Sequence, residues 1–236
     1  MSTTADLQRR AERITEDLRL VNDLAPVQRR VVKAGEVLYR PGQALDNVFL
    51  VSTGMFKSTT LSADGREKVI GFHPKGSWLG FEALAEGRHA NEMVALDVAE
   101  LVVLDYEALL ESSARHPALM RLVHRAMSLE QARQRESLLA MGTLPADARV
   151  ADFLFEWAEA MAAAGLRNDQ LRLRMTRADI GSYLGLTIET VSRAFSRLQR
   201  HDLIRFDEPS RREIRIPHVD ALARFVQQSA SAAALH

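Results

Sequence analysis

The stretch MTRADIGSYLGLTIETVSRAFSRLQRHDL, residues 175–203, decides the reading of this chain. Thr176 stands three residues before Asp179, the spacing of a capping box, and an acid in a first turn is favoured by the helix dipole. Ile180, Tyr183 and Leu184 follow at helical spacing. Gly185 falls where that helix must stop and turn sharply, a left-handed position that glycine takes without steric cost. Leu186 is apolar within the turn, and Thr187 is placed to cap a second helix. Ile188, Val191, Phe195 and Leu198 give the second helix a stripe to bury. Two short helices joined by a glycine turn predict a helix-turn-helix.

The opposite face of the second helix carries Glu189, Ser192, Arg193, Ser196 and Arg200, with Arg197 on its flank. A solvated face would alternate Glu and Lys, and a purely electrostatic one would hold more cations and less variety. A carboxylate facing polyanionic DNA needs a reason. In the major groove cytosine presents an amino donor that a carboxylate accepts, and guanine presents two acceptors that an arginine fork satisfies. Glu189 and Arg193 are four apart, hence neighbours on one face, and with Ser192 they are the candidate base readers. The plainer role for Glu189 is to complement the positive end of its helix. Thr176, Thr187, Ser196, Arg197 and Arg200 are the candidates for the flank and the phosphates, which position the protein without selecting sequence. The following LIRFDEPSRREIRI reads as a hairpin wing. Arg211 and Arg212 at its tip are placed for phosphates or merely solvated.

Around this motif, composition sets the bounds. The chain has 236 residues, 47% of them hydrophobic, enough for one large domain or two ordinary ones. Net charge is zero, yet Arg167 to Arg215 holds eleven arginines, no lysine and seven acids. Arginine's planar fork suits phosphates and guanine edges. No apolar run reaches membrane-spanning length, and the N-terminus lacks an apolar signal core, so a cytoplasmic protein is expected. There is no cysteine, which excludes disulfides, thiolate zinc sites and cysteine-ligated iron–sulfur clusters.

Upstream, residues 5–24 read as a helix with Leu7, Ile14, Leu18 and Val21 roughly on one side. From Val31 to about Leu104, short β-prone runs (EVLYR, NVFLV, MFKSTTL, EKVIGFH, ELVVLD) alternate with glycine turns, which predicts a small β-barrel or roll. Residues 117–141 predict one long helix. Met120, His124, Met127, Gln131, Gln134, Leu138 and Met141 form a stripe resembling a coiled-coil seam with a polar middle. Leu119, Leu122, Val123, Ala126 and Leu129 form a second stripe that can pack on the β unit. A dimer seam fits two divergent stripes, while a helix packed inside its own domain is the simpler alternative. GTLPAD, residues 142–147, breaks this helix, and a further helix with Val150, Phe153, Leu154, Trp157 and Met161 on one stripe ends at Gly165.

This order resembles the Crp/Fnr superfamily of bacterial transcription regulators. MTRADIGSYLGLTIETVSRAFSRLQ is similar to the DNA-binding motif of the Fnr-type branch, with Glu189, Ser192 and Arg193 on its base-reading triad, and VIGFHPKGSWLGFEAL, residues 69–84, resembles its β-roll segment. The resemblance implies an α+β fold in four parts: a helical segment at 1–30, a sensor-like β-roll at 31–115, a dimerisation helix at 116–142 and a winged helix-turn-helix at 143–236. It implies a homodimer on an inverted repeat related to TTGAT-N4-ATCAA, its second helices about 34 Å apart. RNA polymerase is then the expected partner, and activation the expected output.

The likeness has gaps. The cluster-binding cysteines of oxygen-sensing members are absent, with Val102 aligned at the one in the β unit. The cyclic-AMP branch needs an acid after a glycine and an arginine followed by small hydroxyl residues. Here Phe81 follows Gly80, Glu82 is one place away, His89 aligns near the arginine with Arg88 beside it, and Glu92 aligns near the hydroxyl. A carboxylate facing a phosphate disfavours cyclic AMP. For haem, His73, His89, His116 and His124 are the available axial ligands, each with an ordinary packing or surface role as the alternative. No cofactor is expected, and DNA binding by metal-free protein is.

As an enzyme the chain reads poorly. GFHPKGS, residues 71–77, has phosphate-loop glycine spacing, but Ser77-Trp78 replaces the required Lys-Ser/Thr. Neither a Gly-x-Ser-x-Gly elbow nor a His-Glu-x-x-His motif occurs. The alternative to a DNA-binding regulator is a ligand-responsive sensor module whose output is protein–protein contact.

Overall fold

The structure is a computed structural model that describes residues 4–207 and 212–233. The side chain of Leu7 and the whole of Arg211 lie outside the described residues. Contacts divide the chain into two units, Arg13–Arg133, and Gln134–His236 with Met1–Glu12.

The first unit is built on strands β1 (Gln28–Val32), β2 (Val37–Tyr39), β3 (Asn47–Thr53), β4 (Met55–Leu61), β5 (Glu67–Pro74), β6 (Trp78–Leu79), β7 (Glu92–Ala95) and β8 (Ala99–Asp105). They form two antiparallel four-stranded sheets, ordered β1-β8-β3-β6 and β2-β7-β4-β5. Strand side chains alternate between faces, and the runs NVFLV and LVVL are apolar on both. Phe49, Val51 and Leu101 point into the roll, where they meet Tyr39, Phe56, Met93 and Ala95 of the other sheet. Val48, Leu50, Val102 and Leu104 point outward and are buried under helices α1 (Thr4–Leu24), α2 (Tyr106–Arg115) and α3 (Pro117–Thr143). Val21, Leu109, Leu119 and Leu122 supply that cover. Sheets covered on both faces read as continuous hydrophobic runs.

Within α3 the two stripes separate. Leu119 and Leu122 are buried and Val123 packs beside them, as expected of the stripe facing the β unit. Leu129 departs from it and is 48% exposed. On the other stripe Met120, Met127 and Met141 are half-buried, while His124, Gln131, Gln134 and Leu138 are exposed. The break after α3 is shorter than GTLPAD: Gly142 is still helical, and only 144–145 separate α3 from α4 (Ala146–Ala163). Pro145 cannot donate a backbone hydrogen bond and stands as the N-cap of α4.

The second unit holds α4, β9 (Gln170–Arg172), α5 (Arg177–Leu184), α6 (Ile188–Arg200), β10 (Arg205–Phe206), β11 (Glu213–Arg215) and α7 (Val219–Ala233). The strands form an antiparallel sheet ordered β10-β11-β9. Helix α4 packs against α6 and α7. It buries Val150, Ala151, Phe153, Leu154 and Trp157, so four of the five residues of its expected stripe are covered and Met161 is half-buried.

Candidate nucleic-acid interface

Helix α5 starts as its sequence requires. The Thr176 hydroxyl accepts the Asp179 N–H at 3.0 Å, and Asp179 accepts the Thr176 N–H at 2.9 Å, closing a capping box. The Thr176 hydroxyl also donates to that carboxylate at 2.7 Å. At the other end Gly185 takes the left-handed conformation, φ 65° and ψ 37°. The Leu186 N–H donates to the Gly181 carbonyl at 2.8 Å, which folds the turn tightly onto α5. Thr187 then caps α6 by accepting the Thr190 N–H at 3.2 Å.

Val191, Ala194, Phe195 and Leu198 of α6 are buried. Ile188 is not part of that stripe. It is 50% exposed, because the first residue of the helix stands at the rim of the buried arc, beyond the end of α5. Opposite the buried side, Glu189, Ser192, Arg193 and Arg200 are exposed, and Ser196 and Arg197 are half-buried. At about 100° per residue, Glu189, Arg193 and Arg200 fall within about 40° of one another, on one face.

Several of these groups already have partners. The Glu189 carboxylate is held below the ordinary carboxylate range by hydrogen bonds from its own N–H and from the Thr187 hydroxyl, and then by the Arg193 charge. Glu189 stands in the first turn of α6, on a face open to solvent. The Ser196 hydroxyl donates to the Ser192 carbonyl at 3.1 Å. Arg197 is engaged by both oxygens of Asp147, in the first turn of α4, through Nε and Nη2.

The positive charge of this unit is largely matched in the same way. Arg167 pairs with Asp169 at 2.8 Å, Arg205 with Asp202 at 2.9 Å and Arg215 with Asp207 at 3.2 Å. Arg212 is exposed, one residue before β11.

Three residues outside the expected set hold this surface in place. Arg149 of α4 donates from Nε to the Leu144 carbonyl at 2.9 Å and from Nη1 to the Leu184 carbonyl at 3.0 Å. The latter is one of the carbonyls left open where α5 ends. Arg177 lays its guanidinium 3.3 Å from the ring centroid of Phe195 and 5.8 Å from that of Phe206, so one cation spans α6 and β10. Asp147 is the third. Sequence spacing gives no signal for the contacts of Arg149 with Leu184, Arg177 with Phe195 and Phe206, or Asp147 with Arg197, since these partners lie far along the chain.

In the β-roll, Glu82 is spent internally. Its carboxylate lies 2.9 Å from His89 Nδ1, and the His89 ring stacks on Tyr39 with centroids 3.7 Å apart. Burial pushes the Tyr39 hydroxyl well above the usual phenol range, and the nearby Glu82 carboxylate adds to the rise. His73 is buried with Nε2 2.9 Å from the Ser58 hydroxyl. His116 is half-buried, and His124 is exposed. Among the described residues, no three His, Cys, Asp or Glu side chains gather as a metal site, and no helix is long and apolar enough to cross a membrane.

Comparison with known proteins agrees with this division. Residues 29–116 match the cyclic nucleotide-binding domain, and residues 148–225 match the Crp-like helix-turn-helix domain. Over 203 residues the chain is 35% identical to the transcriptional regulatory protein btr of Bordetella pertussis, covering 86% of this chain and 83% of the relative. It is 36% identical over 175 residues to the transcriptional activator protein Anr of Pseudomonas protegens, covering 74% and 72% respectively. FixK2 from Bradyrhizobium japonicum shares the fold with a TM-score of 0.74 and 28% identity, over 84% of this chain and 96% of that one.

Proposed function

The chain belongs to the Crp/Fnr family of transcription regulators, and from that premise we propose that it binds duplex DNA sequence-specifically as a homodimer. Its target is an inverted repeat related to TTGAT-N4-ATCAA. One observation carries the reading: Glu189, Ser192 and Arg193 stand exposed on α6, backed by buried Val191, Ala194, Phe195 and Leu198. A rigid apolar backing fixes where the polar tips stand, which base reading demands. Arg193 donates to guanine and Glu189 accepts from cytosine at the half-site G·C pair, alone or on adjacent pairs. Arg200 and Arg212, with Arg211 beyond the described residues, serve the phosphates. Thr176, Thr187 and Ser196 act mainly by capping and bracing the helices, and Arg197 stands on the flank.

Residues 116–142 form the dimer seam in this reading, through Met120, His124, Met127, Gln131, Gln134, Leu138 and Met141. The exposure of Leu138 in the single chain, 68%, supports an apolar surface there that a second copy covers. Residues 31–115 form the sensor-like β-roll and 143–236 the DNA-binding domain. The protein acts in the cytoplasm as an activator that engages RNA polymerase.

It works without a cysteine-ligated iron–sulfur cluster, and metal-free protein binds its site. The engagement of Glu82 by His89 supports a roll that does not bind cyclic AMP, because the acid nearest the ribose-binding position is occupied.

Selection of binding sites from random duplex tests the reading. Wild-type protein is expected to enrich an inverted repeat, and Arg193→Ala to lose its preference at the G·C position. A selection that enriches no sequence, or one that enriches only with an added ligand, goes against it.

A further inference from the structure

We propose that Asp147 limits how strongly this surface holds the phosphate backbone: its carboxylate holds Arg197 against the start of α4 and withholds that guanidinium from the phosphates. The inference rests on the reading of α6 as the DNA-contacting helix.

Arg197 lies one helical turn after Arg193, at the rim of the exposed face. A long cation there is well placed to reach a phosphate beside the groove. Instead, Nε and Nη2 donate to the two oxygens of Asp147, the fork-to-fork arrangement that gives the strongest and most directional arginine–carboxylate contact. The hydrogen bonds to Asp147 also raise the pKa of Arg197.

This pair differs from the other arginine pairs named in the unit, of which Arg215–Asp207 joins residues eight apart with the arginine side chain 56% exposed. Arg167–Asp169 and Arg205–Asp202 join residues two or three apart, with arginine side chains 73% and 58% exposed. Such local surface pairs are screened and exchange readily for other partners. Arg197 and Asp147 are 50 residues apart and join two helices, and their side chains are 37% and 27% exposed. A phosphate competing for Arg197 must break two charge-assisted bonds and leave Asp147 unpaired beside the polyanion. The exchange is therefore unfavourable on any duplex.

Phosphate contacts add about the same affinity on every sequence. Withholding one therefore lowers binding to random and selected duplex alike and leaves the base contacts of Glu189 and Arg193 in place. The pair sets how tightly, and with what salt dependence, the protein holds any duplex.

The test uses the full-length chain with random-sequence duplex and the selected site, each titrated over a salt series. Asp147→Asn keeps the side-chain size and frees Arg197. In the homodimer it frees two such cations and is expected to steepen the log–log salt dependence on random duplex by about two units. Affinity for random duplex and for the selected site should rise by a similar several-fold factor, with the preference between them unchanged. Arg197→Gln alone should leave the slope unchanged, Asp147→Glu should behave as wild type, and the double variant D147N/R197Q should return to the wild-type slope. Weaker binding of D147N to both duplexes with an unchanged slope marks a purely structural brace and overturns the proposal. If D147N does not fold, R197Q decides: a slope shallower by about two units places Arg197 on a phosphate in each subunit already and overturns it, while an unchanged slope supports it. A wild type that binds random and selected duplex equally sinks the base-reading function, while the slopes still judge Asp147. A wild type that binds no duplex ends both.

Discussion

The carbonyl oxygen of Leu186 fills the space in which a side chain on Gly181 would begin: a Cβ built there would lie 2.7 Å from it. The neighbour is backbone, held by the Leu186 N–H bond to the Gly181 carbonyl, so it cannot swing aside. Gly181→Ala must push the turn off α5. The expected cost is about 1–3 kcal/mol, typical of overpacking. Urea unfolding of the variant should show a lower midpoint, and binding to the selected site should weaken with it. An unchanged midpoint would mean that the turn yields freely.

Arg193→Ala should cost about 1–3 kcal/mol at the G·C position of the half-site and relax selectivity there. Glu189→Ala should reduce discrimination more than it reduces affinity for random duplex. Competition titrations against single-base variants of the site read both effects. Equal loss on every sequence would assign these residues to the backbone instead.

Arg149 anchors the end of α5 through the Leu184 carbonyl and also holds the Leu144 carbonyl. Hydrogen bonds from a charged donor are worth about 1.5–3 kcal/mol. Arg149→Met, which keeps much of the stem, should destabilise the second unit by about that amount. Arg149→Lys should rescue little, because an ammonium lacks the planar fork that reaches two carbonyls. Thermal unfolding monitored by circular dichroism distinguishes the two.

A pH dependence follows from Asp152. Burial raises its pKa above the usual 3.8, and the Glu136 carboxylate raises it further. Arg149, Glu156 and Tyr183 line the same cleft. A carboxyl whose folded pKa is raised opposes folding when ionised. The penalty is complete above the raised value and fades as pH falls toward 3.8. Asp152→Asn should therefore raise the melting temperature at pH 7, and the gain should shrink with acidification. A gain that is constant with pH would assign it to packing instead.

Local chemistry made the helix-turn-helix readable. The Thr176–Asp179 box, the left-handed Gly185 and the buried Val191, Phe195 and Leu198 each involve residues a few places apart, and each is found as expected. The strands EVLYR, NVFLV, MFKSTTL, EKVIGFH and ELVVLD are present for the same reason. Strand β1 escaped notice because QRRVV carries no clean alternation and is exposed except at Val32; β7 escaped because it is only four residues long, and apolar Val94 between buried Met93 and Ala95 hides its alternation. Helix α2 lacks the glycine punctuation that drew attention to the roll. The contacts of Arg149 with Leu184, of Arg177 with Phe195 and of Arg197 with Asp147 leave no periodic trace, since each partner is distant in sequence. Ile188 misled because an apolar residue at helical spacing is covered only if another element reaches that far along the helix.

The three-stranded sheet has a mechanical consequence for the reading helices. Strand β11 pairs with β9 on one edge and with β10 on the other, and the whole of α5 and α6 lies in the segment between β9 and β10. The helices are thus a loop buckled shut at both ends by one central strand. Neither helix can peel away alone while that buckle holds. Slow amide hydrogens of α5, α6 and the three strands should then exchange in a single concerted opening. Duplex bound on α6 would slow the exchange of β9 as well.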